Sequence, residues 1–295
     1  MTTDAAAITA PRSRLADFVA LTKPRLNSLV VVTAGVGFVA ARSGPFEVIT
    51  FLHTTVGAML VAGGAAALNQ VAERDLDKRM RRTRDRPLPS GRLQPSEATW
   101  AALVLTVAGL AQLALGASPT AAAVALVTLL SYVAVYTPLK RATHWALLVG
   151  AVPGALPVVI GWAAVAPLSA GAWSLFAVVF VWQLPHFLAL TWLFRDDFAR
   201  AELPLLSSVD PSGRRTATHL LVYAAMLIPV SVTPTWYGVA GTTYAVGAGA
   251  MSAGLLALGV WFARERGTER ARLLFRATLL YLPVVWLLLL LDGAG

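Results

Sequence analysis

The sequence contains no cysteine and few charged residues. The absence of cysteine excludes disulfide bonds, thiolate metal sites and c-type haem attachment. Charged residues make up 13% of the chain, against roughly 25% in an ordinary soluble domain. Hydrophobic residues make up 57%, and the mean hydropathy is +0.67. This balance excludes a soluble domain and indicates an integral membrane protein.

Apolar stretches long enough to cross a bilayer, about 20 residues of helix each, occur nine times. Runs such as TAAAVALVTLLSYVAVY lack the alternation of strands, so they predict helices and not a closed barrel. The stretches are 27–43, 49–68, 97–116, 119–136, 145–163, 171–191, 218–236, 240–262 and 273–291. We therefore predict an all-α polytopic fold, with a single nine-helix domain at 21–295. Residues 1–20, which lack an apolar run before a cleavage site, are predicted to be a retained tail.

Lysine and arginine are distributed unevenly between the links that join these stretches. Of the 24 Lys and Arg residues, four precede the first stretch and nineteen lie in or beside the links after the second, fourth, sixth and eighth stretches, whereas only Arg42 falls on the other side. The links GASPT, AVAPLSAGA and TPTWYG carry no charge. Because basic residues concentrate in cytoplasmic loops, this pattern predicts a cytoplasmic N-terminus and an external C-terminus. The net charge of +9 therefore reflects topology, and no nucleic-acid partner is expected.

The densest charge follows the second stretch directly, in NQVAERDLDKRMRRTRDRPLPSG at 69–91. If the second helix continues past Leu68, then Asn69, Glu73 and Asp77 lie on one face, because side chains at i, i+4 and i+8 align. One amide and two carboxylates suit Mg²⁺, which takes one or two carboxylates together with substrate phosphates. The cations of the segment suit a diphosphate. They are Arg74, Lys78, Arg79, Arg81, Arg82, Arg84 and Arg86.

The residues of this segment alone leave a second interpretation open. A helix end of mixed charge also pairs its own side chains and is solvated at the membrane border. The end of the fourth stretch, YTPLKR, favours a site. Pro138 must disturb the helix there, which holds Tyr136 and Lys140 at the same border.

The sixth stretch ends like the second, with acids followed by bases. Two similar ends, four helices apart, indicate a weak internal repeat with two four-helix units that face each other across a cavity. Carboxylates of both units would then bracket one diphosphate through metal ions, although a solvated border is again the alternative. A transporter also fits nine helices with an internal repeat, but carriers usually bind near the midplane, whereas this charge lies at one border. The charged residues that end the sixth stretch are Arg195, Asp196, Asp197 and Arg200.

Four segments carry a resemblance to a known family. They are NQVAERDLDKRMRRTRDRPLPSG, YTPLKR, VPGALPVVIGW at 152–162 and WQLPHFLALTWLFRDDFARAELPLL at 182–206. The chain resembles the UbiA superfamily of intramembrane prenyltransferases and, within it, the haem O synthases, or protohaem IX farnesyltransferases. The resemblance extends from LTKPR at 21–25 to the last helix. RTRDRPLPSG together with WQLPHF is its most specific part.

The resemblance implies nine helices around a cavity that opens sideways to lipid. It implies transfer of farnesyl from farnesyl diphosphate to a vinyl group of haem b, which gives haem O and diphosphate, with Mg²⁺ bound to the diphosphate. It also implies a bacterial-type inner membrane with the active site toward the cytoplasm, and haem A synthase as a partner. The alternative within the superfamily is an aromatic quinone precursor as the acceptor, against which RTRDRPLPSG and WQLPHF speak.

The family pattern assigns roles to particular positions. Asn69, Glu73 and Asp77 would hold the metal and the diphosphate, and Tyr136 and Lys140 would be catalytic with them. By the same pattern Arg84 and Arg86 would help to bind the diphosphate, and the charge of the two segments adds Lys78, Arg81 and Arg195 to the expected diphosphate site. The internal repeat adds Asp196 and Asp197 to the expected metal site.

Two positions depart from the pattern. Many superfamily members carry a second D-x-x-x-D on the sixth helix, whereas Phe194 and Phe198 stand here around Asp196 and Asp197. The haem-modifying branch shares this departure, so it favours that branch and weakens the case for a second metal ion. Ala146 stands where that branch usually has Asn.

His186, in the sixth helix, is the candidate for ligating or orienting the haem acceptor, because imidazole is a common haem ligand. Trp182 is expected to line the haem slot. From position alone, a histidine that satisfies a neighbouring helix and a tryptophan that faces the bilayer are the simpler interpretations. His144 and His219, at the inner border, are weaker candidates, as is His53.

Overall fold

The computed structural model describes residues 13–293. Arg12 and most of the expected tail lie outside the described residues. The helices are α1 (Arg14–Leu21), α2 (Pro24–Ala41), α3 (Val48–Ala72), α4 (Arg74–Arg79), α5 (Pro95–Gly116), α6 (Pro119–Leu130), α7 (Thr137–Leu139), α8 (Ala146–Ala163), α9 (Ala170–Leu193), α10 (Arg195–Arg200), α11 (Leu206–Val209), α12 (Arg214–Ser231), α13 (Thr233–Trp236), α14 (Thr242–Arg264) and α15 (Thr268–Asp292). A π-helical turn, Ser131–Tyr136, joins α6 to α7.

Nine helical segments within residues 13–293 are long and apolar enough to cross a bilayer. This confirms the predicted all-α, nine-span fold. The fourth span, Pro119–Leu139, is composite and runs through the π turn, and the seventh, Arg214–Trp236, joins α12 to α13. The short helix α1 lies within the segment expected to be a tail. It is held in place by Asp17, whose carboxylate accepts from Arg92 Nε at 3.1 Å.

Local sequence explains where the spans begin. Prolines start α2, α5 and α6, where the missing N–H of the first turn has no helical partner in any case. Ser118 caps α6, and Gln94 and Glu97 form a capping box on α5. Because successive spans run in opposite directions, the first residues of α2, α8, α12 and α15 meet the last residues of α3, α9 and α14. We call this side, with α4 and α10, the charged end.

Two hydrophobic cores meet at α8. One joins α8 and α9 to α12, α14 and α15 around Leu220 and Tyr281, and the other joins α2, α3 and α6 to α8 around Phe38. α2 crosses α8 at Gly37 and Gly161, where a Cβ on either residue would overlap a backbone carbonyl of the partner helix. Small residues allow such close approach in membrane bundles. The position of α8 between both cores lets the two halves of the bundle share one cavity.

α3 and α9 both break at the charged end and continue as a six-residue helix. Glu73 (φ −103°, ψ 6°) separates α3 from α4, and Phe194 (φ −109°, ψ 21°) separates α9 from α10. The expectation that the second helix continues without interruption to Asp77 is therefore wrong, because it ends at Ala72. The bend lies where the apolar span meets the charged segment, and it accompanies burial of the carboxylates of Glu73 and Asp77.

Candidate active site

A cavity of about 450 Å³ lies between α2, α3, the π turn, α8 and α9. Along the spans its walls are apolar. They include Leu26, Ala58, Leu129, Pro157 and Ile160. At the charged end the lining changes to cations and phenol rings. These residues are Lys23, Arg82, Tyr132, Tyr136 and Lys140. The cavity therefore joins an apolar chamber to a basic mouth.

The three residues that the sequence placed on one helix face are buried beside this mouth. Asn69, Glu73 and Asp77 are 2%, 4% and 1% exposed. Although Glu73 interrupts the helix, Asp77 N still donates to Glu73 O at 2.8 Å, so the bend keeps the chain hydrogen-bonded. The three side chains lie behind the cations that line the mouth.

Each of these oxygen-bearing side chains has a cationic partner. The pairs are Lys23 Nζ with Asn69 Oδ1 (3.3 Å), Lys140 with Glu73, and Arg86 Nη1 with Asp77 Oδ2 (2.8 Å). With Arg82, four cations surround two carboxylates. This excess of positive charge makes the mouth suitable for a polyanion.

Lys23 precedes α2 and has a left-handed backbone, with φ 47° and ψ 58°. That conformation costs a non-glycine residue about 1 to 2 kcal/mol. Pro24 then begins the helix. Loss of water around the ammonium, together with the nearby Arg86 guanidinium, lowers the pKa of Lys23 from 10.5 to about 8. A strained backbone and a desolvated cation at one position indicate a site that is completed by an anion.

The end of the fourth span is irregular, as Pro138 predicted. The π turn ends at Tyr136, and Thr137 Oγ1 then donates to Tyr132 O, five residues back, at 2.8 Å. The same Thr137 hydroxyl accepts from Asn69 Nδ2 at 3.1 Å. Thr137 thus connects the fourth span to the buried end of α3.

Aromatic rings border the cation of this span. Tyr132 and Tyr136 stack with their ring centroids 5.5 Å apart, and Lys140 Nζ lies 5.8 Å from the centroid of Tyr136. Lys140 also pairs with Glu73. The predicted residues Tyr136 and Lys140 are therefore both brought to the mouth of the cavity.

Arg82 lies close to charged groups of both halves of the chain. Its guanidinium is 5.4 Å from the ring centroid of Phe194. Burial and the neighbouring Arg86 lower the pKa of Arg82, while Asp77 and Asp197 oppose this shift. Charges from both halves of the chain therefore act on one guanidinium.

The other predicted residues of the site lie outside the cavity lining. The Asp196 side chain is 84% exposed, and Asp197 pairs with Arg200. Arg195 Nη1 donates to Trp192 O at 3.0 Å, and its guanidinium lies 4.8 Å from a Trp192 ring centroid. Roles for these residues in binding a metal or a diphosphate stay predictions. The same holds for exposed residues of the first charged segment, which are Lys78, Arg81 and Arg84.

His186 and Trp182 contact α15, and neither is among the residues that line the cavity. Trp182 Nε1 donates to Thr278 O at 2.9 Å, and His186 Nδ1 is 2.9 Å from Thr278 Oγ1. The His186 ring stacks between Trp182 and Phe275, with centroid distances of 5.3 and 4.9 Å. A role for His186 and Trp182 in holding an acceptor stays a prediction.

Sequence reasoning did not select Lys23, Thr137 or Tyr132 for the site. Lys23 had an available signal, since LTKPR places a cation and a proline directly before the first span. Tyr132 lies four residues before Tyr136, on the same face of a helix. Thr137 had no signal, because its importance comes from a contact with Asn69 across the bundle.

The donor set limits the metal chemistry of the site. No group of three or more His, Cys, Asp or Glu able to hold a metal ion occurs in residues 13–293. Two carboxylates and one amide suffice for Mg²⁺ when phosphate oxygens and waters complete its shell. A basic mouth on an apolar cavity suits a diphosphate that carries an apolar tail, as expected for an intramembrane prenyltransferase.

The chain belongs to the UbiA prenyltransferase family, whose model matches residues 30–288. It is similar to several proteins named protoheme IX farnesyltransferase. The one from Solibacter usitatus is 43% identical over 289 residues, which cover 95% of this chain and 99% of that relative. These findings confirm the resemblance that the sequence motifs carried, and they favour an enzyme over a transporter.

Solved structures share the fold at low sequence identity. A structure described for digeranylgeranylglyceryl phosphate synthase in membranes has a TM-score of 0.79 at 14% identity, covering 94% of this chain and 98% of that one. A UbiA homolog from Archaeoglobus fulgidus, bound to GPP and Mg²⁺, has a TM-score of 0.64 at 14% identity, covering 92% and 99%. Both confirm the fold.

Proposed function

We propose that the chain transfers the farnesyl group of farnesyl diphosphate to a vinyl group of haem b, giving haem O and diphosphate. One observation carries the chemistry: Asn69, Glu73 and Asp77 are buried with cationic partners at the mouth of an apolar cavity. The choice of farnesyl and haem follows the name of the relatives that match nearly the whole chain.

The proposal includes a cellular setting. Nine spans make the chain a multi-pass membrane protein. The concentration of Lys and Arg at the charged end supports a cytoplasmic active site in the inner membrane of a bacterial-type cell. Farnesyl diphosphate then reaches the basic mouth from the cytoplasmic side while its tail enters from the bilayer. Haem A synthase, which consumes haem O, is the expected partner enzyme.

Mg²⁺ fits the residues that are present. Asn69, Glu73 and Asp77 would hold it through the hard oxygen donors that they supply, and phosphate oxygens and waters would complete its shell. A relative of the same fold was solved with GPP and Mg²⁺, which supports Mg²⁺ with the diphosphate here. When bound, the ion supplies positive charge to the phosphoryl oxygens and orients them.

The cations of the mouth act on the leaving group. Lys23, Lys140 and Arg86 would exchange their present amide and carboxylate partners for oxygens of the diphosphate. Negative charge grows on those oxygens as the allylic C–O bond breaks. Each preplaced donor aimed at such charge contributes on the order of 3 to 4 kcal/mol to lowering the barrier. Before the substrate arrives, Lys140 and Arg86 pair with carboxylates near the mouth. These pairs balance the positive charge of the mouth.

The apolar cavity protects the farnesyl cation until it reacts. Water would quench the cation, so its exclusion favours attack by the vinyl group of the acceptor. The rings of Tyr132 and Tyr136 present π faces that stabilise nearby positive charge. The terminal vinyl carbon bonds to C1 of farnesyl, and water then adds to the inner carbon and loses a proton. His186 and Trp182 are proposed to orient the acceptor.

Mass spectrometry of haems extracted from cells that express the wild type or Asp77→Ala tests the proposal. We expect haem O only with the wild type, because Asp77→Ala leaves Arg86 without its partner and removes a proposed metal ligand. Equal haem O from both would remove Asp77 from the site. If the purified wild type prenylates 4-hydroxybenzoate but not haem b, the proposed acceptor is wrong. The proposed diphosphate chemistry would still stand.

A further inference from the structure

The apolar cavity ends at the same depth on two of its helices. Ala58 is the lining residue of α3 farthest from the charged end, and Ile160 is that of α8. Ala58 lies 14 residues before Ala72, which ends α3, and Ile160 lies 14 residues after Ala146, which begins α8. Both are therefore about 21 Å along their helix axes from the charged end. We call Ala58 and Ile160 the floor of the cavity.

Packed helices close the cavity behind this floor. α2 crosses α8 at Gly37 and Gly161, where an added Cβ would overlap the backbone of the partner helix. Backbones in such contact leave no space for a tail between them. The fully buried ring of Phe38 belongs to the same hydrophobic core as Ala58 and Ile160. The floor is therefore backed by protein and not by lipid.

The side opening of the cavity lies nearer the charged end. Leu26, three residues after Lys23, lines the cavity and is also 67% exposed. Farther along α2, residues 33–38 are all buried, so this helix covers the deeper part of the cavity. A tail can enter from the bilayer beside Leu26, but its far end then lies between packed helices.

The wall that carries Ala58 is held in place from behind. Gly57 and Gly109 bring the backbones of α3 and α5 together, and a Cβ on Gly109 would be 2.8 Å from Gly57 O. On its cavity face α3 presents small side chains. They are Ala58, Val61, Ala62, Ala65 and Ala66. A larger side chain on this face would therefore enter the cavity, because α3 cannot move away from it.

The depth of the cavity matches three isoprene units. At the mouth, the ring of Tyr136 lies against Gly150, where an added Cβ would overlap it. Ile160 follows Gly150 by ten residues of α8, or about 15 Å along the axis. An isoprene unit contributes four carbon–carbon bonds to the chain and extends it by about 5 Å. An extended farnesyl tail therefore spans the distance from Tyr136 to the floor.

We propose that Ala58 and Ile160 set the length of the isoprenoid tail that the chain accepts. This inference rests on the proposed function, which makes an isoprenoid diphosphate the donor. The cations of the mouth hold the diphosphate, so the first isoprene unit lies near Tyr136 and the third lies beside the floor. A geranyl tail leaves the floor empty, a farnesyl tail reaches it, and a geranylgeranyl tail exceeds it. Ala58 and Ile160 thus determine specificity without contact with the reacting atoms.

Binding of isoprenoid thiolodiphosphates tests this proposal without the acceptor. In these analogues sulfur replaces the bridging oxygen, which suppresses loss of the diphosphate. The full chain in phosphatidylcholine nanodiscs is titrated in the presence of Mg²⁺ with the geranyl, farnesyl and geranylgeranyl analogues, and calorimetry gives each Kd. We expect the wild type to bind the geranylgeranyl analogue about tenfold less tightly than the farnesyl analogue, although the longer tail is more apolar.

Leucine substitutions at two depths of the same wall separate tail length from packing. Ala58→Leu should weaken the farnesyl analogue about tenfold and the geranyl analogue less than about twofold, because the added carbons occupy the place of the third unit. Ala66→Leu, one turn from Asn69, is the matched control and should weaken both analogues. Ile160→Ala should reduce the preference for the farnesyl over the geranylgeranyl analogue. Retained binding of the geranyl analogue shows that a variant is folded.

Equal affinity of the wild type for the farnesyl and geranylgeranyl analogues would overturn the inference, because the tail would then leave by the side opening. Ala58→Leu would overturn it by weakening the geranyl and farnesyl analogues alike, or by weakening neither. An unchanged preference in Ile160→Ala would remove Ile160 from the floor.

Farnesyl transfer to haem b by the wild type is measured separately. Haem O formation without the length preference would remove this inference alone. The length preference without haem O would remove the proposed acceptor and leave the tail site standing. If none of the three analogues binds, the proposed donor is wrong and both proposals fail.

Discussion

The ends of α3 and α9 have the same backbone path and different chemistry. Each span breaks at one residue, Glu73 or Phe194, and each continues as a six-residue helix. When Glu73 is aligned with Phe194, Asp77 corresponds to Phe198. The first end buries carboxylates against cations, whereas the second presents aromatic rings at both equivalent positions. A backbone repeat therefore does not imply a repeated site.

The second end supports the first by packing. Phe198 packs with Leu76, Met80 and Leu203, and it also lines the cavity. Phe194 lies against the guanidinium of Arg82. Apolar contacts from α10 thus fix α4 and the segment after it, which carry the charged side chains. One half of the bundle places buried ion pairs beside the mouth, and the other half packs apolar side chains against the segment that carries them.

The largest expected difference between the two ends concerns activity. Glu73→Gln should lower kcat/KM for farnesyl transfer by about a thousandfold, because it leaves Lys140 buried without its counter-charge and replaces a charged proposed ligand by a neutral one. Asp196→Asn, at an exposed position, should stay within about twofold. Steady-state kinetics of the purified variants measures both. Comparable losses would mean that both ends act in the chemistry.

The next largest expected difference between the ends of α3 and α9 is the effect of their variants on the Mg²⁺ dependence of activity. Chelation of Mg²⁺ should abolish transfer and readdition should restore it. Asn69→Ala should raise the Mg²⁺ concentration for half-maximal activity by about 10- to 100-fold, as loss of a group at a metal site commonly does. Asp197→Asn removes only an ion pair with Arg200, so it should change this Mg²⁺ concentration less than about twofold. A Mg²⁺ titration of each variant is the measurement, and a large shift for Asp197→Asn would reveal a second metal site.

Replacing Phe198 by the aspartate of the superfamily motif should destabilise the apolar packing around α10. Phe198→Asp places a carboxylate among Leu76, Met80 and Leu203, and we expect a loss of about 2 kcal/mol in stability with no gain in activity. Thermal unfolding in a fixed detergent measures the shift, and Phe198→Leu is the conservative control. An active, equally stable Phe198→Asp would show that this position tolerates the acidic motif.

The smallest expected difference is in the KM for farnesyl diphosphate, between a variant of Lys23 and a variant of Arg195. Lys23→Gln should raise the KM for farnesyl diphosphate by about tenfold, because Lys23 lines the mouth and is desolvated there. Arg195→Gln should leave KM nearly unchanged, since its guanidinium is directed to the carbonyl and ring of Trp192. The KM values from initial rates decide between them. Equal shifts would place Arg195 at the diphosphate.

Much of the fold follows from local properties of the sequence. The length of the apolar runs determined nine spans, and Pro138 marked the irregular end of the fourth. Helical periodicity brought Asn69, Glu73 and Asp77 together, and all three are buried beside the cavity. Each of these predictions depends only on residues near one another in the chain.

Local reasoning did not show which cation pairs with which oxygen of the site, and it did not select Lys23. Lys23 pairs with Asn69 across 46 positions of sequence, and only the packing of α2 against α3 brings them together. Within the run of arginines, Arg86 reaches Asp77 while Arg84 stays exposed and near Asp85. The amino-acid composition of the segment does not distinguish these arginines. The turn after α4 decides which of them faces inward.

Between Ser131 and Tyr136 the fourth span holds an extra residue relative to an uninterrupted α-helix of equal rise. A one-residue deletion there would let the segment relax into regular helix. Because the wide turn absorbs the extra residue, the chain beyond the deletion would keep nearly its present direction, and Lys140 would still face Glu73. The extra residue therefore shapes the local backbone that holds Thr137 beside Asn69, and the direction of the rest of the span does not depend on it.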